Sequence, residues 1–144
     1  MTEWKNGIRW TSNLETGNHR IDQQHKQLFK LTSDIVDSYM SGKSSELVAK
    51  TLDFLAEYTV KHFADEEALQ IQYDFPDYKN HKKMHDDFKE SVIDLITKYK
   101  ANDNSIDLHS TVNSIVVRWL VQHIQREDSK IAQHIRKRIV FEKY

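Results

Sequence analysis

Eight histidines and no cysteine in a chain of 144 residues confine the site chemistry of this sequence mainly to imidazoles and carboxylates. His62 and Glu66 stand four residues apart, as do His81 and His85, so each pair shares one face of a helix. Each has a bland reading when taken singly: His62 and Glu66 as an exposed pair, His25 or His123 as a satisfied core histidine. His25, His62, Glu66, His81, His85, His123 and Asp128 nevertheless all fall on apolar seams, while most lysines and arginines fall elsewhere. Burying seven ionisable groups in one core without a compensating charge is costly, and a bound metal supplies that charge.

Seven candidates are too many for one tetrahedral zinc. Two six-coordinate ions accommodate them if both carboxylates bridge. Five imidazoles with two carboxylates suit iron, cobalt, nickel, copper or zinc and suit magnesium or calcium poorly. The segment from His81 to His85 lacks the glutamate that a zinc-protease helix uses as general base, and no Glu-x-x-His of the ferritin-like di-iron pattern occurs. One position stays open on spacing. Asp128 is five residues beyond His123, about 140° around an ideal helix, and Glu127 would sit closer to the same face. Asp128 in turn follows Ile124 along the seam.

These residues need elements to carry them. Three glycines and one proline leave few breakers, and the breaks fall near Gly42, at Pro76 and at the polar stretch 101–105. Between them, four segments show apolar residues at 3–4 spacing, from Ile21 to Tyr39, Val48 to Leu69, His81 to Tyr99 and Val112 to Ile135. Helices of about 22 residues would be about 33 Å long. The expected fold is all-α, an up-down-up-down antiparallel four-helix bundle in a single domain spanning 1–144. It divides into an N-terminal arm (1–18), the bundle (19–135) and a C-terminal extension (136–144). With 21 basic and 22 acidic residues the net charge is −1, which gives no reason to expect nucleic acid or an anionic membrane as partner. The missing cysteines exclude disulfides, cysteine zinc fingers, iron–sulfur clusters and thiol nucleophiles. No apolar run is long enough to insert in a membrane and the start MTEWKNGIRW is no signal peptide, so the expected location is cytoplasmic.

Four stretches resemble the hemerythrin family, in particular its single-domain bacterial members: GNHRIDQQHK from Gly17, HFADEE from His62, HKKMHDDF from His81, and WLVQHI from Trp119 followed by Asp128. The resemblance runs from about Trp10 to about Ile135. It implies two iron ions, a di-iron centre with an oxo or hydroxo bridge, in which His81, His85 and His123 hold one ion and His25 and His62 the other. Glu66 and Asp128 would bridge them. The second ion would be one ligand short, and the family's chemistry would hold O2 there reversibly as hydroperoxide. Leu28, Phe63, Trp119, Leu120 and Ile124 would form the apolar wall of the O2 pocket, and Asp22 would orient an imidazole from behind. Ordinary core packing is the alternative for the wall, and an exposed first-turn acid the alternative for Asp22.

The implied function is reversible O2 binding for storage, transport or delivery, with no enzymatic step. The alternatives are an O2 or redox sensor, an enzyme handling peroxide, NO or ferrous iron, and an inert zinc bundle. The partner is O2, with an O2-consuming enzyme or a signalling protein as further possibilities. His19, His109 and His134 are expected on the solvated surface. Arg136, Lys137 and Arg138 are expected to stabilise a helix end rather than to form a docking patch, and Trp4 and Trp10 to fold the arm onto the bundle.

Overall fold

All four segments with 3–4 apolar spacing are helical in the computed structural model, which describes residues 2–3, 9–102 and 107–143. Helix α1 runs His19–Met40, α2 Ser45–Gln72 and α3 Tyr78–Lys100. Helix α4 is one continuous run over 108–143, so the expected C-terminal extension continues it through 143. Side chains start two of these helices. Asn18 Oδ1 accepts from the Ile21 amide at 3.0 Å, and Ser44 Oγ accepts from the Leu47 amide at 3.2 Å, each relieving one unpaired first-turn donor. The α1–α2 turn needs left-handed backbone at Gly42 (φ 75°), and the α2–α3 turn needs it at Asp74 (φ 52°). Connections this short force neighbouring helices antiparallel, and the result is a four-helix bundle. No described helix is long and apolar enough to cross a membrane.

The core is interrupted by the ionisable layer. A large apolar cluster, including Leu28, Leu52, Leu55, Phe63, Leu120 and Ile124, is separate from a smaller one of Ile21, Phe75, Ile131 and Ile135. Along α1, His25 stands between Ile21 and Leu28, and along α4, Asp128 stands between Ile124 and Ile131. The polar layer is therefore sealed by apolar packing on both sides.

The arm is latched to the bundle. Thr2–Glu3 pairs antiparallel with Arg9–Trp10, and Trp10 packs edge-on against Phe29 with ring centroids 5.5 Å apart. Trp4 lies outside the described residues, as do positions 103–105 of the third break. Asp22 accepts from the Thr16 amide (2.9 Å), the Thr16 hydroxyl (2.8 Å) and the Gly17 amide (3.2 Å). Arg136 Nη1 donates to the Thr16 carbonyl at 3.0 Å, and Arg138 pairs with Asp74 at 3.3 Å. These two arginines of the basic cluster thus tie the end of α4 to the arm and to the α2–α3 turn. His19 is exposed as expected, whereas His109 is half-buried rather than solvated. His134 departs from expectation: half-buried, it donates from Nε2 to the Tyr73 carbonyl at 2.6 Å, because the α2–α3 turn folds over this part of α4.

Candidate metal centre

Each helix delivers its ionisable seam residues to one place. Helix α1 contributes His25, α2 His62 and Glu66, α3 His81 and His85, and α4 His123 and Asp128. Their ligand-type atoms form two overlapping groups, each with all its atoms within 4.8 Å of one another: Glu66, His81, His85, His123 and Asp128 in one, His25, His62, Glu66 and Asp128 in the other. All seven are buried, His123 the least at 6% exposure.

The two carboxylates stand between the histidine groups. Glu66 Oε1 lies 2.9 Å from His81 Nε2 and 3.1 Å from His85 Nε2, while Oε2 lies 3.4 Å from His62 Nε2 and 3.7 Å from His25 Nε2. Asp128 repeats the division. Its Oδ1 is 3.0 Å from His81 Nε2 and 3.1 Å from His123 Nε2, and its Oδ2 is 2.9 Å from His25 Nε2.

The donor atoms fit cations better than they fit one another. His123 Nε2 lies 3.0 Å from His81 Nε2 and 3.2 Å from His85 Nε2. Three ring nitrogens facing one another cannot all donate without clash, nor all present lone pairs without repulsion, unless a cation sits among them. His25 Nε2, Glu66 Oε2 and Asp128 Oδ1 are buried with no properly aligned hydrogen bond despite their close neighbours. Unpaired buried groups of this kind call for a ligand.

Without a cation the protonation equilibria are pulled the same way. Burial alone would lower the pKa of His25 and of His81, but the close Asp128 and Glu66 carboxylates outweigh it and raise both to about 9. For His85 burial is likewise outweighed by Glu66 and Glu67, and its pKa rises. For His62 burial prevails and the pKa falls. Burial opposes ionisation of Glu66, yet the surrounding His25, His62, His81 and His85 imidazoles hold its carboxyl well below the usual range. Burial and the Glu66 charge oppose ionisation of Asp128, and His123 and His25 overcome them.

The backbone of α4 explains the fourth-helix carboxylate. Its α-helical turns give way to π-helical ones at Asn113–Val117 and at Ile124–Asp128. An i→i+5 turn brings residues five apart close to one face, which ordinary helical spacing does not. Asp128 therefore points inward beside His123, and Glu127 turns out to within 3.7 Å of Lys130 Nζ.

Aromatic rings press on the imidazoles. Phe63 stacks on His85 (centroids 3.8 Å apart, planes 2°), Trp119 on His123 (4.2 Å, 12°), and Phe88 on the far face of the stack against Trp119 (4.0 Å, 17°). Leu28, Phe63, Leu120 and Ile124 are buried in the apolar cluster, and Trp119 is half-buried against it. Asp22 is a correction: its oxygens are taken by Thr16 and Gly17, so it fastens the arm and orients no imidazole.

That orienting role falls to two residues the spacing does not reveal. With Nε2 turned to the cluster, His62 Nδ1–H donates to Gln24 Oε1 at 2.7 Å, and His85 Nδ1–H donates to Glu67 Oε2 at 2.8 Å. Such outer hydrogen bonds fix the tautomer and plane of a metal-binding imidazole. Gln24 Nε2 is itself held by Asp65 at 2.8 Å. Gln24 acts across to α2 and Glu67 across to α3, so no spacing within one helix reports them; the available signal is a polar residue directly beside a seam residue.

A model of the hemerythrin HHE cation binding domain matches residues 16–135. Bacteriohemerythrin of Pseudomonas aeruginosa is 29% identical over 127 residues, 88% of this chain and 80% of that protein. Bacteriohemerythrin of Methylococcus capsulatus is 34% identical over 107 residues, 74% of this chain and 79% of that protein. Among solved structures, a leucine-to-alanine variant of hemerythrin superposes with a TM-score of 0.78 at 28% identity, covering 88% of this chain and 95% of that one.

Proposed function

This chain belongs to the hemerythrin family, and from that premise we propose that it binds O2 reversibly at a pair of iron ions held within the bundle. Family membership supports an O2-binding type of function. The observation that carries the finer reading is the division of seven buried donors into two groups that share Glu66 and Asp128. His81, His85 and His123 would hold one ion, His25 and His62 the other, with both carboxylates common to the two. The second group offers four residues against five, so its ion has room for an outside ligand. A pair of irons held there would supply the two-electron redox chemistry that reversible O2 binding requires.

The chain's own residues favour release over reaction. Leu28, Phe63, Trp119, Leu120 and Ile124 line the cluster with apolar atoms and keep water from it. Gln24 and Glu67 fix the imidazole planes, so the donors stay aligned as ligand comes and goes. Glu67, the acid set against the cluster from outside the seven, is engaged by His85 Nδ1–H at 2.8 Å.

The test is anaerobic loading with ferrous iron, a metal count, then admission and removal of air. We expect two irons per chain and a visible absorption that appears with air and fades under argon. Colour that persists under argon would replace reversible carriage by an oxidative role, and a chain that holds fewer than two irons would remove the di-iron reading.

A further inference from the structure

Outside the seven, two described side chains bury polar atoms without a hydrogen-bond partner: Trp10, whose ring packs against Phe29, and Gln70, for which packing offers no account. It is 0% exposed, and neither its Oε1 nor its Nε2 has a hydrogen-bond partner. Its backbone is ordinary: the carbonyl accepts from the Phe75 amide at 2.8 Å and closes the turn after α2. A leucine would fill such a position without leaving two buried polar atoms unpaired.

Its place on α2 supplies the explanation. Gln70 follows Glu66 by one turn on the same face, and helical side chains lean back over the preceding turn, here that of Glu66. Glu66 Oε2 is one of the few other buried side-chain atoms without a hydrogen-bond partner among the described residues. Two of the imidazoles have outer partners in Gln24 and Glu67, whereas Glu66, one of the two carboxylates common to both groups, has none outside the cluster. A buried water satisfies two to four such groups, and side chains one helical turn apart are neighbours on one face.

We infer that Gln70 is a positioning residue for the Glu66 carboxylate, bridged to Glu66 Oε2 by one buried water. The inference rests on the two-metal reading above. The bridge holds the carboxylate plane, so that the ions shared by Glu66 would be bound more firmly, and it draws charge from the carboxylate, which would favour the reduced state.

Gln70→Leu and Gln70→Met remove the carboxamide while keeping the volume apolar, and both are compared with the unaltered protein after its two-iron stoichiometry has been measured. Three quantities are read: iron affinity by chelator competition, the midpoint potential of the loaded centre, and the melting temperature of the metal-free chain. We expect both variants to bind iron about 10–100-fold more weakly and to show a lower potential, with metal-free melting unchanged or higher. Unchanged affinity and potential in the two variants would overturn the inference. So would a loss of affinity accompanied by an equal loss of metal-free stability, which marks a packing role. If the unaltered protein itself fails to hold two irons, the function reading fails first and this inference falls with it.

Discussion

At the scale of single residues, the decisive feature is that each carboxylate oxygen faces its own set of imidazoles. Asp128 Oδ1 meets His81 and His123, and Oδ2 meets His25, so neutralising this one side chain should weaken both proposed ion positions. Asp128→Asn should lower metal affinity by more than about 100-fold, beyond the usual effect of losing an outer partner. Glu127→Gln, one residue earlier, should leave two metals per chain. Metal analysis after gel filtration distinguishes them, and equal loss in the two variants would return Glu127 to the place that ideal helical spacing gives it. The seven candidates are legible in the sequence because an ionisable residue on an apolar seam is anomalous in itself. Gln24 and Glu67 are not, since each becomes meaningful only through a histidine on another helix. Asp22 misleads for a related reason. Its carboxylate looks toward His25 along α1 in a helical projection, but the incoming arm supplies three nearer donors.

At the scale of elements, the four helices follow from seams and breakers, while two details do not. The π-helical turn at Ile124–Asp128 escapes any reading that assumes a constant 3.6-residue period, and it is the turn that exchanges Glu127 for Asp128. The latch of the arm escapes because it joins residues 120 apart in sequence, Thr16 and Arg136. Gly17 is the tight point of that latch. Its φ is +92°, and a Cβ built there meets Arg136 Nη1 at 2.5 Å. Gly17→Ala must both strain the backbone and push the guanidinium from the Thr16 carbonyl, and we expect a loss of more than about 1 kcal/mol. For a chain of this length that is a fall in Tm of at least about 2–4 °C. Metal stoichiometry should not change, because the latch touches none of the seven donors. A Gly17→Ala protein that melts with the unaltered one would show that the arm contributes nothing to holding the end of the bundle.

At the scale of the whole molecule, the cluster makes stability depend on pH in a way that bound metal should abolish. In the metal-free protein the two buried carboxylates are offset by protons on imidazoles, with His25 and His81 holding theirs to about pH 9 instead of 6.5. A histidine whose folded pKa is raised contributes stability that is complete below 6.5 and is lost as pH rises through 9. His85 is shifted in the same direction, and His62 in the opposite one, so His62 adds to destabilisation below 6.5. Glu66 and Asp128, held below their ordinary values of 4.5 and 3.8, contribute stability above those values that is lost as pH falls beneath them. The metal-free chain should therefore be most stable between about pH 5 and 6.5, with a melting temperature that declines steadily toward pH 9. Metal ions would replace the imidazole protons and keep the carboxylates paired, which should remove the alkaline decline and make binding release protons. Melting curves from pH 5 to 9.5, with chelator and with ferrous iron under anaerobic conditions, test this directly. A flat alkaline limb in the chelated protein would mean that the carboxylates find their compensation elsewhere, and the electrostatic case for cations in this core would lose its footing.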